Sequence, residues 1–345
     1  MASSITSIPR EGDSVLVQKN LIARTLTLNR PRQLNALNFD MISRLLEHFL
    51  AFEDDANVKL VIVKGKGRAF CAGGDVAAVV SILDGIVMGG GAGASIHGRF
   101  RVATENSVFA MPETALGLFP DVGASYYLSR LPGFFGTRLD GAEMLACSLA
   151  THFVPSTRLS LLEEALYRVD SSDFAIIQAV IDKYSHSPAL KKKSAYYRMD
   201  VIDKCFSRRT VEEIVSALED EEAPNGADAW LTSTIQALKK ASPMSLKISL
   251  RSIREGRLQG VGQCLVREYR MVSHVVKGEV SKDFREGCRA LLLDKDKNPK
   301  WEPSKLELVT NHMVEQYFSK LDDEGWEELK LLVRSNLPAT AIAKL

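Results

Sequence analysis

The sequence predicts an α/β fold whose second half is helical, and three observations carry that expectation. Twice in the first hundred residues an apolar, strand-like run ends in a glycine cluster and passes into a helical run. Residues 13–28 alternate in part between apolar and polar, whereas residues 38–50 repeat their apolar positions at helical spacing. After residue 140 or so the strand signal fades and helical periodicity takes over.

Taken in order, residues 13–28 read as a β-hairpin. In the next run Met41, Leu45 and Phe49 form one row and Ile42, Leu46 and Leu50 a second, as on a helix. Leu60–Val63 follows as a strand and leads to Ala72, Gly73 and Gly74, then a helical stretch from Asp75. The plan repeats: a strand over Ile82–Val87, the glycines Gly89 to Gly91, then a helix of small residues. Such alternation places helices on the faces of a sheet. Residues 159–167, 173–184, 211–218, 229–240 and 309–321 read as helices. They are broken by His186–Lys193 and by an acidic loop, Glu219–Gly226. The expected division is a core over residues 8–185 and a helical region over 186–345.

Composition narrows the function. The 345 residues carry a formal net charge of +1, so no global field points to nucleic acid. No run of 18 or more apolar residues is present to span a membrane, and the N-terminus lacks the apolar stretch of a secretory signal. The five cysteines form no Cys-x-x-Cys pair and suit a reduced, intracellular protein. Cys71, beside the first glycine turn, reads as a small buried residue rather than a nucleophile. His97 and His152 have no partner at metal-ligand spacing, so no zinc site is expected, and no Gly-x-Ser-x-Gly elbow occurs. Gly89–Ala94 formally fits a dinucleotide fingerprint, but Glu105 precedes the strand-like Val108–Ala110 instead of ending a strand.

The chemistry concentrates in Met111–Gly123, where Glu113 and Asp121 are the only charged residues among apolar residues, Thr, Gly and Pro. Burial raises a carboxyl pKa, and a second carboxylate nearby separates the two values further. Such a pair suits acid–base work or covalent attack on a carbonyl. A surface turn with two solvated acids would use the same Pro112, Gly117 and Pro120. Glycine clusters at helix starts favour a phosphate or an oxyanion, because backbone N–H groups there lack acceptors.

Four motifs in this order resemble the crotonase (enoyl-CoA hydratase/isomerase) superfamily: Asn29–Leu37, Ala69–Asp75, Gly85–Gly91 and Ala110–Glu113. The longer run through Phe119–Gly123, with a helical C-terminal part, resembles 3-hydroxyisobutyryl-CoA hydrolases, the plant members in particular. The resemblance implies a repeated ββα core that binds acyl-CoA. The reaction it implies is hydrolysis of a short β-hydroxyacyl-CoA thioester, such as 3-hydroxyisobutyryl-CoA in valine catabolism. By motif, Gly74 and Gly90 would supply oxyanion N–H donors. Glu113 would attack the thioester or activate water, and Asp121 would orient the substrate hydroxyl or handle a proton. Coenzyme A would be part of the substrate, with no separate cofactor and no metal. Lys64, Lys66 and Arg68 could meet its phosphates, or simply be solvated. Enoyl-CoA hydratases carry a glutamate where Gly93 stands, which disfavours hydration.

Only Val76–Val80 separate Asp75 from Ser81, too few for the helical crossover that relatives have there. A shorter stretch is also abridged, relative to that family, at Phe134–Arg138. The expected consequence is a discontinuity between Val80 and Ser81 or a distorted oxyanion site. A shortened homologue that binds acyl-CoA without turnover is the alternative. Ala343-Lys344-Leu345 is close to the Ser-Lys-Leu address, so a peroxisomal import receptor and a peroxisomal location are expected. The acyl group and self-association are left open.

Overall fold

The computed structural model describes residues 13–331 other than 68, 74–79, 132–137, 172 and 226–227. The first elements are β1 (Val15–Asn20), β2 (Ala23–Leu28), α1 (Phe39–Asp54), β3 (Leu60–Gly65), β4 (Ala69–Gly73) and β5 (Val80–Ile82). Next come β6 (Ile86–Gly89), α2 (Gly90–Ile96), β7 (Phe100–Ala103), β8 (Val108–Ala110), α3 (Ala124–Leu128), β9 (Leu139–Asp140) and α4 (Gly141–Ala146). They are followed by β10 (His152–Phe153), α5 (Leu159–Tyr167), α6 (Phe174–Asp182), α7 (Met199–Phe206), α8 (Val211–Asn225) and α9 (Ala229–Lys240). The last are α10 (Pro243–Gly256), α11 (Val261–Lys277), α12 (Asp283–Cys288) and α13 (Asn311–Phe318).

Of the described residues, those up to Ala110 and from Arg138 to Lys191 form one unit. Those from Met111 to Leu131 and from Lys192 to Leu331 form the second. The chain passes from the first unit to the second at Lys191/Lys192, and the segment with Glu113 and Asp121 groups with the C-terminal residues.

The first unit holds two sheets, ordered β1-β2-β3-β5-β7-β10 and β4-β6-β8-β9. The expected hairpin is present: β1 and β2 pair antiparallel from Val15↔Leu28 to Asn20↔Ala23. Strands β2, β3, β5, β7 and β10 then run parallel. Ile62, Val80, Ile82 and Val102 from these strands pack with Leu162 and Leu166 of α5 and Ile177 and Ile181 of α6. The strand expected over Ile82–Val87 is two strands in different sheets, because Gly85 at φ +94° turns the chain from β5 into β6. The same step from the large sheet to the small one recurs from β3 to β4 and from β7 to β8. This is the repeated ββα pattern.

No discontinuity falls between Val80 and Ser81. Both lie in β5, facing Ile62 and Val63 of β3, and the strand also pairs with β7. In α1, the Asn38 side chain accepts the Met41 N–H at the first turn. Met41 and Leu45 are buried, while Ile42, Leu46 and Leu50 are exposed.

The second unit is helical around α10, α11 and α13, where Met244, Ile248, Met271, Val275, Val314 and Phe318 enclose Phe119. The acidic stretch expected as a loop is helical as far as Asn225. Two of its carboxylates pair with lysines of neighbouring helices, Glu219 with Lys239 and Glu221 with Lys204, and Glu222 accepts from Thr232. Helices α10 and α11 were not among those legible from periodicity. The tripeptide Ala343-Lys344-Leu345 lies outside the described residues.

Candidate active site

The two expected carboxylates sit on consecutive turns of the second unit. Glu113 opens a 3-10 turn, Glu113–Leu116, that Gly117 closes in the left-handed region at φ +74°. A Cβ at Gly117 would lie 2.3 Å from the carbonyl carbon and oxygen of Asp283, so only glycine fits. Glu113 is 5% exposed, and its Oε2 has no hydrogen-bond partner among the described residues. Burial pushes its carboxyl up to about 8, and the nearby charge of Asp121 adds to the rise. Burial also raises Asp121, to about 6. A solvated surface turn is thereby excluded for Glu113. Fully buried Tyr127 feels the charges of Glu113, Glu268 and Asp121, and its hydroxyl donates to Met111 Sδ at 3.2 Å.

The backbone after Asp121 is strained. Val122 has φ +56° and Gly123 φ +82°. A β-branched residue in that region is a true outlier and costs about 1–3 kcal/mol, so its surroundings must hold it there. They do so from α11. Glu268, 2% exposed, accepts the N–H of Gly123 at 2.6 Å, the N–H of Ser125 at 2.9 Å and the Ser125 hydroxyl at 2.5 Å. Two of these are N–H groups at the start of α3, which have no intrahelical acceptor. Arg267 donates from its Nη2 to the same Ser125 Oγ at 2.9 Å. Burial raises the Glu268 carboxyl to about 7, with the Asp121 charge contributing. The sequence reading missed Glu268. Its signal was faint: it shares one face of α11 with buried Cys264, Met271 and Val275, so a charge stands at a core position.

The glycine turns belong to the first unit. Gly89 takes φ +54° and ψ −130°, and Gly90 begins α2 directly after it. Gly91 to Ile96 are all buried, Gly93 included. Gly74 lies outside the described residues, so the pairing of its N–H with that of Gly90 is not part of the geometry described. Asn35, from the first motif, gains a physical role. Fully buried at φ +54°, it donates to Lys66 O and Ala69 O at 2.9 and 2.8 Å and accepts from Arg30 N–H at 2.8 Å. It thereby ties the entry of β4, the strand that leads to the first glycine turn. Lys64 is ion-paired with Glu163 at 2.5 Å, beside a cavity of about 420 Å³ that Lys66 and Asp84 also line. His152 is paired with Asp182 at 3.2 Å, and burial lowers its pKa. Among the described residues, no group of three or more His, Cys, Asp or Glu side chains is placed to hold a metal ion.

A family model described as enoyl-CoA hydratase/isomerase matches residues 23–81 and 77–318. The chain belongs to that family. The 3-hydroxyisobutyryl-CoA hydrolase 1 of Arabidopsis thaliana is 65% identical over 371 positions, covering 96% of this chain and 97% of the relative. A second Arabidopsis relative, probable 3-hydroxyisobutyryl-CoA hydrolase 2, is 61% identical, with coverage of 95% and 98%. The solved structure of a carnitinyl-CoA dehydratase from Mycobacterium thermoresistibile has a TM-score of 0.80 at 31% identity, covering 90% of this chain and 98% of that one. The fold is therefore that of the crotonases within the enoyl-CoA hydratase/isomerase family.

Ninety-six per cent of the 345 residues is about 331, so about 40 of the 371 aligned positions have no residue in this chain. The two pieces of the family match overlap at residues 77–81, beside the five-residue stretch Val76–Val80.

Proposed function

We propose that the chain hydrolyses 3-hydroxyisobutyryl-CoA to 3-hydroxyisobutyrate and coenzyme A, with Glu113 and Asp121 as its catalytic carboxylates. The observation that carries this reading is the buried Glu113 carboxyl, its Oε2 without a partner among the described residues and its charge opposed by that of Asp121, in a chain 65% identical to a hydrolase of that name. Ionised Glu113 either attacks the thioester carbonyl, displacing the thiolate and forming an anhydride that water opens, or takes a proton from the attacking water. Both routes use the same carboxylate. In each, negative charge grows on the acyl oxygen, and the N–H groups of Gly74 and Gly90 are assigned to receive it. Asp121 holds the substrate hydroxyl or carries the proton. Coenzyme A enters as part of the substrate, and no step needs a metal or redox group.

Gly93 places no carboxyl on α2, which argues against adding water across a double bond. The shortened link at residues 77–81 favours one other reading, an acyl-CoA binder without turnover. One experiment separates them. Thiol release from 3-hydroxyisobutyryl-CoA is expected in the unmodified chain, abolished in Glu113→Gln and reduced roughly 100-fold in Asp121→Asn. Binding without thiol release in the unmodified chain establishes the binder, and equal rates in all three chains reject the assignment of the carboxylates.

A further inference from the structure

We infer that Glu268 is the positioning residue that holds Asp121 in its working orientation, acting through the backbone of residues 122–125. The inference deepens the hydrolase reading and rests on it for the role of Asp121. Its geometric basis is independent of that reading. A buried carboxylate accepts three hydrogen bonds, all from the two residues Gly123 and Ser125. Gly123 is two positions beyond Asp121, and between them Val122 occupies a backbone region that a β-branched residue enters only under constraint. The clamp is tightened from two further sides. Arg267 donates to Ser125 Oγ and to Ser252 O, and Gly256 approaches so closely that a Cβ there would lie 2.2 Å from Ser125 O. Glu268 therefore resists rotation of the 121–123 turn, and the direction of the Asp121 carboxyl follows from that turn.

Glu268→Gln tests this in the full chain. The variant keeps the volume but presents one oxygen and an NH2 group, so one of the two N–H acceptors is replaced by a donor. Hydrogen exchange read by mass spectrometry on peptides spanning residues 119–128 is expected to speed up, with the remaining peptides unchanged. Turnover of 3-hydroxyisobutyryl-CoA is expected to fall roughly 100-fold in kcat while KM stays within about threefold, as for a misplaced catalytic group. Ser125→Ala removes one contact of the three and is expected to fall between wild type and Glu268→Gln in both readouts. Faster exchange with full turnover overturns the inference, as does lost turnover with unchanged exchange in the 119–128 peptides. Should Glu268→Gln fail to fold, an unaltered Ser125→Ala overturns it. If the unmodified chain releases no thiol, the hydrolase reading falls, and the exchange comparison still decides whether Glu268 holds the turn.

Discussion

Replacing Glu113 by glutamine is expected to make the protein more stable, by an amount that grows with pH. The unfolded chain loses this proton near the ordinary value of 4.5 and the folded chain near 8. The folded state is thus favoured with the proton on, and that advantage disappears as pH rises from the first value through the second. At about 1.4 kcal/mol per pH unit, holding the acid buried costs roughly 1.5 kcal/mol at pH 5.5 and roughly 5 kcal/mol at pH 9. Glutamine carries no charge at either pH. Urea unfolding of the two chains should therefore diverge by about 3 kcal/mol between pH 5.5 and pH 9, with the variant the more stable. Asp121 and Glu268 titrate in both chains and drop out of the difference to first order. A gap that stays constant across this range would refute the claim that Glu113 is buried and strained as a carboxylate. The expected loss of thiol release in the same variant would show that the destabilising group is also the working one.

Three other outcomes are expected. If Glu113 acts ionised, kcat/KM is expected to climb with pH, reach half its limit near 8 and level off above that, following its raised pKa; a rate that falls between pH 6 and 8 would assign it the role of acid. Gly117→Ala forces a Cβ to 2.3 Å from the Asp283 carbonyl at positive φ, so a loss of about 2–4 kcal/mol is expected in urea unfolding. An alanine variant as stable as wild type would show that this turn relaxes freely. An N-terminal fluorescent fusion is expected to be punctate and to become cytosolic on removal of Ala343-Lys344-Leu345; a mitochondrial pattern would dismiss that address.

The first unit was largely legible in the sequence, because its strands and glycine turns leave local marks. The hairpin, β3, α5 and the glycine-led α2 follow from alternation, helical spacing and small residues. The turn at Gly85 was not legible, since Ile82 and Val87 are equally apolar whether one strand or two carry them. The helices α10 and α11 were missed for a different reason. Their inward positions include Ser245, Ser249, Ser252, Arg267 and Glu268, and the last three of these bond partners distant in sequence. An apolar stripe cannot announce such a face. The same reason hides Glu268, whereas Glu113 and Asp121 stood out because their own segment is apolar.

The membership of residues 111–131 has a consequence for how the chain comes apart. This stretch leaves the first unit after β8, contributes Phe119 to the core of the second, and lays Leu116 and Gly117 against Gly287 and Asp283. The backbone later crosses the seam again at Lys191–Lys193, three exposed lysines in a row. A tryptic nick there cuts the covalent link without withdrawing the earlier stretch from its place. Two fragments should separate on a denaturing gel and yet travel together through a sizing column. The N-terminal piece would be anchored in its partner like a tenon in a mortise.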